Sequence, residues 1–183
     1  MGWSRAELEA FAGSTIPDLM PDRLRLLFVG INPGLVSAAT GLHFARRGNR
    51  FYPALVRAGL VDSDDPAEAA AQLRSRGVGI TNLVARASAR ADELDPTELV
   101  EGRERLVSLV RERAPRVVAV AGITSYRTAF GHRAAKPGRQ PDDLAGAEVW
   151  VVPNPSGLNA HETVESLARA YREVARAAGL LGD

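Results

Sequence analysis

Four short runs rich in Val, Leu and Ile constrain this chain more than any other feature: Leu24–Val29, Val78–Val84, Val117–Val120 and Val149–Val152. Each is too short for a typical helix and lacks helical spacing, as expected of strands buried on both faces. Between them lies helix punctuation. Asn49 can cap a helix over Arg50–Ala58, with Pro53 in its first turn and Gly59 ending it. Asp65-Pro66 opens a second helix, Ala67–Arg76, closed by Gly77. Asp95-Pro96-Thr97-Glu98 has the form of a capping box, and its helix runs to about Arg113. A short helix is expected at Thr124–Phe130. A last one, about Glu162–Ala178, places Val164, Leu167, Ala168, Tyr171, Val174, Ala175 and Ala178 on one stripe. Strands alternating with helices predict an α/β fold, three layers α/β/α with a central four-stranded, mainly parallel sheet. The stretch from Ile31 to Arg50 reads as a long loop, Lys136–Gly146 as another, and residues 1–20 as a peripheral segment of one domain spanning 1–183.

The residue inventory excludes several chemistries. Cysteine is absent, which removes disulfides, thiolate zinc sites, iron–sulfur clusters and a cysteine nucleophile. His43, His132 and His161 stand at unrelated spacings, so neither a metal nor another cofactor is expected. A lysine Schiff base would have to use Lys136, the only lysine, in a Gly/Pro-rich loop. No apolar stretch approaches the roughly 20 residues that cross a bilayer, and the first residues lack a secretory apolar core. The expectation is a cytoplasmic monomer without a membrane partner.

Two turns carry the chemistry. Gly30-Ile31-Asn32-Pro33-Gly34 follows the first strand and Asn154-Pro155-Ser156-Gly157-Leu158 follows the last. Gly and Pro force the chain to turn there, at the sheet edge where ligands bind in parallel α/β folds. The Asn32 carboxamide cannot act as a general base, but it can hold a water or orient a substrate amide. Backbone N–H groups in the second turn can stabilise negative charge on a leaving group. Phe44, in the loop after the first turn, offers a ring for stacking on a flat heterocycle. Together these suit hydrolysis of an N-glycosidic bond. Taken singly, each residue has a plainer reading. Asn32 would be a turn asparagine bonded to its own backbone, Phe44 a core aromatic, Leu158 a packing contact and His161 a first-turn helix residue. Ser156 lacks the Gly-x-Ser-x-Gly context of a hydrolase nucleophile.

Four ordered segments add a family resemblance: Gly30-Ile31-Asn32-Pro33-Gly34-Leu35, then Phe44 with Gly48-Asn49-Arg50-Phe51, then Gly79-Ile80-Thr81-Asn82-Leu83-Val84, and Val152-Pro153-Asn154-Pro155-Ser156-Gly157-Leu158. They resemble the mismatch-specific uracil-DNA glycosylases and thymine-DNA glycosylases of the uracil-DNA glycosylase superfamily, from about Ile16 to Ala178. The resemblance implies that fold and a monofunctional DNA glycosylase, which removes uracil and related damaged pyrimidines from G·U, and by extension G·T, mismatches in double-stranded DNA. An abasic site is left for base excision repair. It implies that Asn32 positions the hydrolytic water and that Asn82 supports the water or the base. Gly30, Ile31, Gly34, Ser37, Phe44, Asn154 and Ser156 would bind the base, with Phe44 stacking on it and Gly34 leaving room beside its 5-position. Pro155, Gly157, Leu158, Asn159, Arg46 and Arg47 would face DNA, with Leu158 entering the duplex. Flipping a base costs a few kcal/mol, less at a mismatch, and an apolar wedge holds the gap open.

Asn rather than Asp at position 32 implies a water without a base. The bond then breaks dissociatively and slowly, and electron-poor 5-substituted uracils leave faster. Asn159, Ala160 and His161 depart from the polar or basic residues that relatives often place beyond the wedge, which leaves opposite-base preference open. A net charge of +1 leaves phosphate neutralisation to local cations such as Arg46, Arg47, Arg50, Arg133, Lys136 and Arg139. The competing readings are a non-catalytic lesion-binding module on the same fold, an N-glycoside hydrolase preferring another deaminated base such as hypoxanthine, and an enzyme of free nucleosides. The last would need a ribose-binding acidic cluster that neither turn supplies.

Overall fold

A computed structural model describes residues 2–182. The four apolar runs become β1 (Leu26–Gly30), β2 (Val78–Asn82), β3 (Val117–Ala121) and β5 (Glu148–Val152). They pair in parallel in the order β2-β1-β3-β5, with Gly30 opposite Asn82 at the carboxyl end of the first pair. A fifth strand, β4 (Gly138–Arg139), lies antiparallel to β5 at the sheet edge. It comes from the segment expected to be a loop; two residues are too few to show a strand pattern.

Among the described residues, seven α-helices accompany the sheet: α1 (Arg5–Glu9), α2 (Leu35–Thr40), α3 (Phe51–Ala58), α4 (Pro66–Arg76), α5 (Pro96–Arg113), α6 (Ile123–Phe130) and α7 (Val164–Ala177). Alternation along the strands divides the core in two. Leu26, Phe28, Ile80 and Ala119 pack with α3, α4 and α7, while Leu27, Val29, Val118 and Val120 pack with α5 and α6. The result is three layers, α/β/α, with a mainly parallel sheet.

Local chemistry sets the boundaries. Asp95 accepts the Thr97 N–H and Glu98 accepts the Asp95 N–H, so the capping box at the start of α5 is formed. Asp65 caps α4 without a reciprocal box, its Oδ1 accepting the N–H groups of Ala67 and Glu68. Asn49 Oδ1 accepts the Phe51 N–H at 2.9 Å where α3 begins. Helix α2 lies inside the segment expected to be a long loop: Gly34 opens it without a side-chain cap, and Gly41 closes it at φ 72°. Helix α7 starts later than expected because Thr163 and Ser166 cap it. His161 therefore sits in the turn before the helix, not in its first turn. Within the first 20 residues, α1 is capped by Ser4 and Glu7, and Leu19 exchanges backbone hydrogen bonds with Ile80 at the sheet edge. Among the described residues no helix is long and apolar enough to cross a membrane.

Candidate active site

The carboxyl ends of β1, β2, β3 and β5 open onto a cavity of about 160 Å³. That is below the roughly 300 Å³ of a pocket for a drug-sized ligand, and it fits one small flat group. Asn32, Asn82, Gly30, Ile31, Gly34, Ser37, Phe44, Asn154, Ser156 and Arg46 all line it, so the two Asn-Pro turns face one space. Pro33, His43, Asn49, Ala91 and Ala121 complete the lining.

The plainer reading of each turn asparagine separates the two. Asn154 does bond its own turn: its Oδ1 accepts the Ser156 N–H at 3.0 Å. Asn32 does not. Its Nδ2 donates to the Arg86 carbonyl at 3.0 Å and to Ser88 Oγ at 2.8 Å, leaving Oδ1 without a donor among the described residues. The loop that supplies both acceptors is stitched to the first turn. Leu83 and Val84 N–H groups donate to the Gly30 and Ile31 carbonyls, both at 2.9 Å, and Ser88 N–H donates to the Pro33 carbonyl at 3.2 Å.

Gly30 has a steric reason to be glycine. A Cβ there would lie 2.5 Å from Asn82 Oδ1 and 3.3 Å from Phe44 Cζ. Gly34 faces open space, with nothing within 4 Å of the place a Cβ would take. Ser37 is buried and its Oγ accepts the Ala45 N–H at 3.4 Å. Ile31 reaches towards β3, near Gly122.

Phe44 is a mounted platform. Its ring stacks on Phe51 at 4.1 Å, and Phe51 meets Phe28 edge-on at 5.2 Å within the core. The residue takes φ 54°, a left-handed conformation that is strained for a bulky side chain. The stacking and a hydrogen bond from the Tyr52 hydroxyl to the His43 carbonyl at 2.8 Å hold it there.

The sequence offers His43 only as a candidate metal ligand, and the structure places it in the cavity. It is 6% exposed. Nε2 lies 3.0 Å from the Pro17 carbonyl, which can only accept, so Nε2 carries the proton. Nδ1 is then the acceptor facing Asn82 Nδ2 at 3.4 Å. The signal was adjacency to Phe44; a lone histidine carries no periodicity to reveal it. Burial holds the imidazole below its ordinary value of 6.5, against the opposing pull of Pro17 and Asp18. The folded protein therefore resists a proton that the unfolded chain accepts, so this stability is present above about pH 6.5 and is lost as pH falls. Urea unfolding at pH 7.5 and pH 5.5 should show a drop in midpoint, and His43→Gln should show a smaller one. An equal drop in both proteins would remove His43 as its source.

Arg50 is corrected by the structure. The sequence groups it with the phosphate-facing cations, but its guanidinium donates to the carbonyls of Ser156 and Asn159, both at 2.6 Å, and of Glu162. Its N–H donates to the Pro155 carbonyl at 2.9 Å. Arg50 thus fastens the second turn to the start of α3. Gly157 packs against the same segment, where a Cβ would be 2.6 Å from the Gly48 carbonyl. Asn159 folds back, its Nδ2 donating to the Asn154 carbonyl at 3.2 Å. Arg139 is likewise paired, with Asp143 and Glu148. Arg46 and Arg47 are exposed and form no ion pair among the described residues. From this braced turn Leu158 projects with 75% of its surface exposed, the most of any large apolar side chain among the described residues.

Chemically, the cavity offers an oriented neutral acceptor at Asn32, an amide at Asn82, and a backed aromatic face. Among the described residues, no group of His, Asp and Glu is placed to hold a metal ion. The family model of the Uracil DNA glycosylase superfamily matches residues 17–175. The fold is similar to the solution NMR structure of a candidate uracil DNA glycosylase from Methanosarcina acetivorans. The TM-score is 0.61 over 87% of this chain and 96% of that one, at 15% identity. With the family match running from the segment before β1 into α7, the chain belongs to the uracil DNA glycosylase superfamily.

Proposed function

We propose that the protein is a monofunctional DNA glycosylase of the mismatch-specific uracil and thymine type, hydrolysing the N-glycosidic bond of uracil and related damaged pyrimidines in G·U and G·T pairs. Family membership supports DNA glycosylase activity in general. The observation that carries the finer reading is the Asn32 carboxamide, whose N–H groups are both consumed so that Oδ1 is left to hold a water.

The steps follow from the site. The target base leaves the stack and lies against Phe44, while Leu158 fills the gap in the duplex and Arg46 and Arg47 meet nearby phosphates. Asn82 offers an amide to the base edge. No base stands at Asn32 to deprotonate the water, so the C1′–N1 bond breaks first and its electron pair leaves with the base. The water oxygen then bonds C1′, and the water's proton passes to the departed base or to solvent. Leaving-group acidity governs the rate, so electron-poor 5-substituted uracils should react faster, and the open space at Gly34 accommodates their substituents.

The test is alkali cleavage of labelled duplexes carrying G·U, A·U, G·T and single-stranded uracil. Scission only after alkali, fastest on G·U, is the expected pattern. No cleavage on any substrate with enzyme in excess rejects the reading, and scission without alkali rejects the monofunctional part. A lesion-binding module that has lost turnover would bind these duplexes and cleave none. Leu158→Ala should slow the reaction by up to about 30-fold, on the order of the 2 kcal/mol that burying a leucine contributes. The loss should be larger on A·U, where the pair resists opening, than on G·U. Equal rates for the two proteins on A·U would remove the wedge.

A further inference from the structure

We infer that Ser88 is a positioning residue for Asn32: its hydroxyl, oriented by the Arg90 carbonyl, determines which end of the Asn32 carboxamide faces the reacting sugar. The inference rests on the hydrolytic reading of Asn32 and adds to it a residue outside all four sequence segments. Ser88 is buried, and its hydroxyl has one hydrogen, donated to the Arg90 carbonyl at 2.7 Å. Towards Asn32, 2.8 Å away, it can therefore only accept. The second partner, the Arg86 carbonyl at 3.0 Å, is also acceptor-only. Two acceptors make a socket that takes an NH₂ group and refuses an oxygen. A reversed amide would lose both hydrogen bonds and set Oδ1 against two oxygens, so Oδ1 is the atom presented to the cavity.

The socket has fixed walls. Ser88 bridges Gly34, and its N–H donates to the Pro33 carbonyl, which ties the socket to the turn that carries Asn32. On the other side the Arg86 guanidinium is clamped by both carboxylate oxygens of Glu98, at 2.6 and 2.8 Å. Glu98 is itself part of the capping box of α5, and these contacts hold its carboxyl at a pKa of about 2. The orientation of one carboxamide is thereby referred to the first turn and to the longest helix. Removing the Ser88 hydroxyl leaves a single acceptor, about which the amide can pivot.

The experiment compares Ser88→Ala and Ser88→Thr in the native and Asn32→Ala backgrounds. It reads single-turnover cleavage of a G·U duplex, affinity for that duplex, and hydrogen exchange of the Asn32 side-chain amide by NMR. Ser88→Ala is expected to slow cleavage about tenfold, the order of one lost hydrogen bond, with affinity unchanged. Ser88→Thr should restore the rate. In the Asn32→Ala background Ser88→Ala should cost nothing further, because a residue acting only through Asn32 has nothing left to act on. Exchange of the Asn32 amide protons should be slow in the native protein and in Ser88→Thr, and faster in Ser88→Ala. Equal rate losses in both backgrounds, or unchanged exchange in Ser88→Ala, would overturn the inference. If the native protein cleaves nothing, the hydrolytic reading fails, and the exchange measurement still decides whether the socket exists.

Discussion

Replacing Asn32 with alanine is expected to lower the single-turnover rate on a G·U duplex by about 100- to 1,000-fold while leaving duplex affinity within a few-fold. The size follows from what the side chain does. In the proposed mechanism it transfers no proton, so the loss would be that of a positioned water and of a dipole aimed at a cationic sugar, effects of that order in other enzymes. Affinity should hold because the groups proposed to stack on the base, wedge the duplex and meet phosphate lie on other residues: Phe44 on Phe51, Leu158 on the braced second turn, Arg46 at the rim of the cavity, and the exposed Arg47. The check is a rate measured with enzyme in excess beside a binding isotherm on a non-cleavable analogue. Loss of affinity in proportion to the rate would make Asn32 a binding residue. An unchanged rate would remove it from the mechanism.

Gly102→Ala should be the most damaging single methyl in the chain. Helix propensity alone says the reverse, since alanine in place of an interior glycine typically stabilises a helix by roughly 0.5–1 kcal/mol. Here the α5 backbone at Gly102 packs onto Leu83, and a Cβ would fall on the Leu83 carbonyl, 2.7 Å from its carbon. Backbone on backbone cannot step aside as a flexible side chain would. Overpacking of this kind typically costs 1–3 kcal/mol and outweighs the propensity gain. With a rigid backbone clash at the upper end of that cost, a net destabilisation of about 2 kcal/mol, a fall in Tm of roughly 4–8 °C, is expected. Activity should fall as well, because Leu83 and Val84 hold the Gly30 and Ile31 carbonyls and so locate the first turn. A rise in Tm would mean that α5 can slide outward, which the Arg86–Glu98 pair at its first turn opposes.

What was legible in the sequence, and what was not, follows from the range of the interactions. Strands β1 and β3 are buried on both faces, so they wrote themselves as unbroken apolar runs, and α4 and α5 announced themselves through the local caps Asp65-Pro66 and Asp95-Pro96-Thr97-Glu98. Helix α2 has neither signal: six residues, a glycine cap and no capping side chain. Strand β4 exists because of a partner; its neighbour Gln140 donates its N–H to the Val149 carbonyl at 2.7 Å, a contact no local pattern encodes. The two Asn-Pro turns were legible as a pair, and they line one cavity. Their difference was not, since Asn32 finds its partners more than 50 residues away while Asn154 finds its own within two. Arg50 was misplaced for a related reason. A guanidinium serves phosphate or carbonyl equally well, and only the fold shows three carbonyls converging on this one. His43 and Ser88 carry no spacing at all and became visible only through their partners.

On the proposed function, this cavity adds water across one N-glycosidic bond of DNA. The most direct measurement is a mass spectrum of a duplex with one G·U pair after incubation with the protein and with Asn32→Ala. The native protein should release free uracil and an equal amount of an intact strand carrying a hydroxyl at C1′ in place of the base, while the variant leaves the strand largely unchanged over the same time. An unaltered strand with the native protein, or equal release by both proteins, would contradict it.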